Sequence, residues 1–139
     1  MSTWNLQETR CHLLICNGGS CTKRRAEEVT QAIRDEISLL GADKLIHTTR
    51  TRCNGRCTDA CVVIAYPDGV WYKDISPELG RELVRKHLSG DRLDERLVYS
   101  FDRRFIASGL SVTGKEKASW QAVDLLNDGK ILAERKRGL

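Results

Sequence analysis

Cys61-Val62-Val63-Ile64-Ala65-Tyr66-Pro67-Asp68-Gly69-Val70-Trp71-Tyr72 joins an apolar run of strand length to a short apolar return. Pro67-Asp68-Gly69 between them carries turn chemistry, since proline presets its φ and glycine accepts a positive one. The stretch therefore predicts a β-hairpin. Just beyond it, Ser76-Pro77-Glu78 predicts a helix start, with serine as N-cap and proline at the first helical position. Leu79, Leu83, Val84 and His87 carry that helix to Gly90. Hairpin and helix together make a ββα unit.

Upstream, residues 11–15 (Cys-His-Leu-Leu-Ile) predict a short buried strand. From about Thr22 the period becomes helical: Val29, Ala32, Ile33, Ile37 and Leu40 share one face, while Arg24, Arg25, Glu28, Gln31 and Arg34 face out. Gly41 is placed to close this helix. Residues 44–49 predict a second strand. A βαβ unit joined to a ββα unit makes a small α/β sandwich of the thioredoxin kind. Downstream of Gly90 the pattern weakens. Leu93, Leu97, Val98, Tyr99 and Phe101 read as a packing segment, and residues 102–117 predict no element. Trp120, Val123 and Leu126 would line a short helix ending near Gly129. The expected division is a domain over residues 1–98 and an extension over 99–139.

Two polar, glycine-containing turns follow apolar runs: Cys16-Asn17-Gly18-Gly19-Ser20-Cys21 and Cys53-Asn54-Gly55-Arg56-Cys57. Two loops that each offer two thiolates make a four-sulfur metal site, and four cysteines are what a 2Fe–2S or 4Fe–4S cluster requires. Structural zinc competes with that assignment, because both spacings fall within its range. A dithiol oxidoreductase is less favoured, since the thioredoxin-type C-x-x-C is absent. Cys11 and Cys61 sit on apolar runs and read as small buried hydrophobes. His12, His47 and His87 lack the pair spacing of Rieske-type ligands.

Composition narrows the class. The chain of 139 residues is long enough for a core of its own. No run reaches the length of a membrane span, and no basic-then-apolar leader is visible at Met1–Glu8. A cytoplasmic location is therefore expected, where six cysteines are ligands sooner than disulfides. The basic residues are interleaved with acidic ones and no recognition helix stands out, so neither nucleic acid nor membrane is expected as a partner.

The residues resemble a known family, the thioredoxin-like 2Fe–2S ferredoxins, whose relatives include small cluster-bearing subunits of respiratory complex I and of hydrogenases. The likeness is carried by His12-Leu13-Leu14-Ile15-Cys16 leading to Gly19-Ser20-Cys21, by Cys53-x3-Cys57, by Val62 to Tyr72, and by Ser76-Pro77-Glu78 to Gly90. It covers about residues 10–98. It implies a 2Fe–2S cluster held by Cys16, Cys21, Cys53 and Cys57, and a homodimer. Cys61 departs from the pattern by standing where the family often has proline, and the chain after Val98 is not covered.

A cluster with four thiolates has a formal charge of roughly −2, and roughly −3 once reduced. Burying it requires hydrogen-bond donors and positive charge nearby. Gly18 and Gly19 are expected to use positive φ to turn N–H groups toward sulfur, and Cys21 to lie at or just before a helix N-terminus. Lys23, Arg24 and Arg25 follow, and Arg52 and Arg56 flank the second pair. Such charge favours the reduced state. The expected function is a one-electron carrier, not an enzyme, and the net charge of +4 suits a redox partner with an acidic docking face. The alternatives are a cluster-bearing accessory or regulatory protein of metallocofactor assembly, such as cobalamin biosynthesis, and a small subunit of a larger redox complex.

Overall fold

The structure is a computed structural model that describes residues 2–118. It orders β1 (Cys11–Cys16), α1 (Gly19–Lys23), α2 (Ala26–Leu39), β2 (Ile46–Thr51), β3 (Val63–Tyr66), β4 (Val70–Tyr72), α3 (Pro77–Leu88), β5 (Leu97–Asp102) and β6 (Arg104–Ala107). The strands form one sheet in the order β2-β1-β3-β4-β5-β6. Only β1 and β2 run parallel, and the remaining neighbours are antiparallel. The expected α/β architecture is thus present, with two further strands at one edge.

The helices start and stop where local chemistry demands. Ser76 Oγ accepts the Leu79 N–H at 3.1 Å, so the side chain satisfies an N–H that the first turn of α3 leaves free. Gly41 (φ +64) closes α2: its N–H reaches Ser38 O and that of Ala42 reaches Ile37 O, the two bonds of a Schellman turn. One long helix from Thr22 was expected; Arg25 instead takes φ 70 and divides it into α1 and α2. Arg24 and Arg25 N–H still bond back to Cys21 and Thr22 carbonyls, which closes α1 after barely one turn.

The core follows the strand alternation. Leu13 and Ile15 pair with Ala65 and Val63, and all four are buried with Val29 and Ile33 of α2 and Leu83 and Val84 of α3. The two helices cross at Gly80, where a Cβ would meet Ile33 Cγ1 at 2.9 Å. Beside the crossing, buried Glu36 accepts from Arg81 and Arg85 at 2.9 Å each, so its charge is neutralised by two guanidiniums. Along β4 to β6, Trp71, Tyr99, Phe105 and Phe101 contact one another edge to face or tilted.

The C-terminal half corrects the sequence-based division. The boundary expected after Val98 falls inside β5, and residues 102–117, expected to hold no element, contain β6. Ser100 pairs with Ile106 and Phe101 with Phe105, so the sheet continues through the supposed junction. Trp120, Val123 and Leu126 lie outside the described residues.

Candidate metal centre

Parallel pairing of β1 and β2 builds the site. Cys16 and Thr51 are register partners at the carboxyl ends of their strands, so the loops that follow emerge side by side. Such carboxyl ends are where α/β sheets bind their ligands. Val63, opposite Ile15, starts at the same end, which returns the second loop beneath the first. Cys16, Cys21, Cys53 and Cys57 all line one recess there, with Gly18, Ser20, Asn54, Arg56 and Val62.

The thiols come as two pairs. Cys16 and Cys21 are buried, each 3 % exposed, and Cys16 Sγ donates to Arg52 O at 3.4 Å. Cys53 Sγ and Cys57 Sγ are 3.6 Å apart and exposed. Among the described residues no group of three or more His, Cys, Asp or Glu side chains is spaced around a single metal ion. Four thiols lining one recess are the donor set that a four-cysteine iron–sulfur cluster requires.

Donors aim at the sulfurs. Burial opposes ionisation of Cys16, but bonds from the Gly18 N–H and from the Asn54 side chain and N–H outweigh it and hold the thiol below its ordinary value. Burial dominates at Cys21 and pushes it up to about 12, against a bond from the Val62 N–H. Gly55 N–H reaches Cys53 Sγ at 3.3 Å. The donor set and its surroundings therefore fit an anionic four-thiolate cluster.

The glycines act differently from expectation. Neither Gly18 nor Gly19 takes positive φ; Gly18 is extended (φ −68, ψ 178) and packs directly on the Cys53 backbone, while Gly55 (φ +82) makes the second turn. Cys21 lies within α1, not before it. Cys16 completes β1, and its loop starts at Asn17.

The other candidates stand apart. Cys61 lies outside the recess lining, buried before β3, with Sγ donating to Arg24 O at 3.0 Å; burial raises it to about 11. Cys11 is half-buried on β1 and raised to about 12, by burial first and Asp68 second. His12 and His47 face each other across β1 and β2 with ring centroids 5.0 Å apart, and His87 bonds Tyr72. Lys23, Arg24, Arg25 and Arg52 are exposed. Arg56 is not: it pairs with buried Asp59 at 2.8 Å, a role that the Arg-x-x-Asp spacing within the loop could have signalled.

A sheet whose parallel pair delivers two cysteine loops to one recess defines a thioredoxin-like iron–sulfur protein. Comparison with known proteins makes that specific. A Priestia megaterium protein bearing the name 2Fe–2S ferredoxin is 48% identical over 109 residues, covering 78% of this chain and 85% of that one. The 2Fe–2S ferredoxin of Aquifex aeolicus (strain VF5) is 44% identical over 85 residues, 59% of this chain and 75% of that one. A solved thioredoxin-like [2Fe–2S] ferredoxin from Aquifex aeolicus superposes with a TM-score of 0.64 at 31% identity, covering 68% of this chain and 94% of that one. No protein-family model matches the chain. The chain belongs to the thioredoxin-like 2Fe–2S ferredoxins, and its cofactor is a 2Fe–2S cluster. No helix among the described residues is long and apolar enough to cross a membrane.

Proposed function

We propose that this ferredoxin is a one-electron carrier, not an enzyme, and that Cys16, Cys21, Cys53 and Cys57 hold its cluster. When bound, the 2Fe–2S cluster supplies a one-electron redox centre. The observation that carries the reading is the asymmetry of the recess: Cys16 and Cys21 are buried in the fold, while Cys53 and Cys57 are exposed. The buried pair anchors the cofactor and shields it from water, and the exposed pair offers the side through which an electron would enter and leave.

Lys23, Arg24 and Arg25, which follow the first cysteine loop, and Arg52, which precedes the second, are exposed and suit a redox partner with an acidic docking face. Arg56 drops out of this patch because its guanidinium is engaged within the chain. A cytoplasmic homodimer completes the reading. The alternative, an accessory protein of metallocofactor assembly or a subunit of a larger redox complex, draws on exposed Phe105, Ile106 and Val112 of the extension, which a minimal carrier would not need.

Iron and sulfide counts with absorption and EPR spectra of anaerobically purified protein test the cofactor assignment. The carrier role is tested by reduction rates with an acidic redox protein. Neutralising Arg24 and Arg25 together should slow reduction, and the difference should shrink as salt screens the pair. Equal rates at all ionic strengths would remove the docking face from the proposal.

A further inference from the structure

Arg56 directly precedes Cys57 in the second cysteine loop, yet most of its bonds leave the neighbourhood of the sulfurs. Nε donates to Asp59 Oδ2 at 2.8 Å. Nη2 donates to Val112 O at 2.7 Å and approaches Ser111 Oγ at 3.5 Å. The guanidinium carbon lies 5.2 Å from the Tyr99 ring centroid, and a Cβ on Gly114 would come within 3.2 Å of Nη1. One side chain thus joins the Cys53–Cys57 loop to β5 and to residues 111–114.

That segment has its own attachments to the sheet. Ser108 N–H bonds Val98 O at 2.9 Å and Lys73 Nζ reaches Leu110 O at 3.2 Å, while within the segment Ser111 N–H bonds Ser108 O at 3.1 Å. Among the described residues, Arg56 is the side chain whose hydrogen bonds, to Ser111 and Val112, link that segment to the cysteine loop. The chemistry explains why arginine stands there. Asp59 is 1 % exposed and needs a charged partner, and a planar fork can serve that carboxylate and a carbonyl at once, over an aromatic face. A lysine ammonium is a point donor and cannot reproduce the fork.

We propose that Arg56 is a positioning residue: it clasps residues 108–114 to the second cysteine loop, and so fixes the loop that presents Cys53 and Cys57 and limits water at their exposed side. The inference rests on reading those cysteines as cluster ligands. It differs from a charge effect on the cofactor, because Asp59 already balances the Arg56 charge.

The test uses the holoprotein in three forms: wild type, R56K, and R56Q/D59N. The double variant removes both charges, so it leaves no buried unpaired carboxylate and should fold. Hydrogen exchange at the Ser108 and Ser111 amides should speed up about tenfold or more in the double variant, as expected for losing bonds to a charged donor. Iron release to a chelator should accelerate by a similar factor, and the visible circular dichroism of the cluster should change. R56K should keep the pairing with Asp59 yet speed exchange at both amides, and wild-type exchange in R56K would overturn the need for the guanidinium fork. Unchanged exchange in the double variant would overturn the clasp. Faster exchange with wild-type iron release and circular dichroism would overturn its action on the cluster loop. Exchange reads the clasp whether or not the cysteines bind iron, whereas iron and sulfide counts of the wild type test the ligand reading alone.

Discussion

Gly18 lies so close to Cys53 that a Cβ in place of its hydrogen would stand 2.8 Å from both Cα and N of Cys53. Those are backbone atoms, which cannot rotate away, so a methyl group there must push the two cysteine loops apart. Gly18→Ala should therefore destabilise the protein by about 1–3 kcal/mol, as overpacking does, and lower its iron content. Gly19 is the contrast: its Cβ would meet nothing within 4 Å, and it lies in α1. Gly19→Ala should be neutral or stabilising by about 0.5–1 kcal/mol. Denaturation midpoints and iron counts on both variants check the pair, and equal behaviour would mean that the loops do not depend on this contact.

The ligand set gives the second prediction. Cys16→Ser, Cys21→Ser, Cys53→Ser and Cys57→Ser should each abolish or strongly alter the visible spectrum, because all four thiols line the recess. Cys11→Ala and Cys61→Ala should retain it. Cys61 donates to the Arg24 and Cys21 carbonyls, so its loss should cost about 1 kcal/mol of stability without moving the absorption bands. A bleached Cys61→Ala beside an intact Cys57→Ser would show that the set is wrong.

What was legible in the sequence is what local chemistry fixes. The hairpin, the Ser76 cap and the Gly41 stop each depend on a few adjacent residues, and each stands where those residues put it. The cysteine loops were legible because their glycines and cysteines are contiguous, and parallel pairing of β1 with β2 then brings the loops together. β6 was not legible: all four of its residues are exposed, so Arg104-Phe105-Ile106-Ala107 shows no alternation between faces. The break at Arg25 was hidden for another reason, since positive φ at arginine has no compositional signal. Arg56 was read as a charge beside the sulfurs because its partners at Ser111 and Val112 are 55 and 56 residues away.

A third prediction concerns pH. Tyr72 OH and His87 Nε2 are 2.7 Å apart, the Leu93 N–H reaches the same hydroxyl at 3.3 Å, and His87 Nδ1 lies 3.3 Å from Asp68 Oδ2. Neutral His87 completes the chain by accepting from Tyr72 and donating to Asp68; a second ring proton would leave the tyrosine hydrogen without its acceptor. Burial holds His87 below its ordinary value, outweighing the upward pull of Asp68. Below pH about 6.5 the unfolded chain therefore takes up a proton that the folded one refuses, and stability falls as pH drops toward the folded value. The slope contributed is at most about 1.4 kcal/mol per pH unit. His12, also held low by burial and then by His47, adds a slope of the same sign. Denaturant midpoints between pH 5 and 8 should thus decline on acidification in the wild type and decline less in His87→Gln. An identical decline in the two would exclude His87 as a source.

The last prediction separates the described extension from the chain beyond it. A protein ending after Val98 loses most of β5 and all of β6, and with them the Tyr99 ring and the Ser111 and Val112 groups that Arg56 contacts. It also exposes Trp71, which packs on Tyr99 and Phe105, and leaves β4 as an unpaired edge. Asp59 would keep Arg56 as a partner, but the cysteine loop would lose its attachment to the sheet edge. That shortened protein should bind iron poorly or aggregate. A protein ending after Ala118 keeps all the strands and Arg56 contacts found among the described residues, and both cysteine loops, so its absorption and EPR spectra should match those of the full chain. Iron counts and light scattering on the two lengths decide the matter. A full cluster in the shorter protein would show that β5 and β6 are dispensable to the site, and a lost cluster in the longer one would place part of the site's support after residue 118.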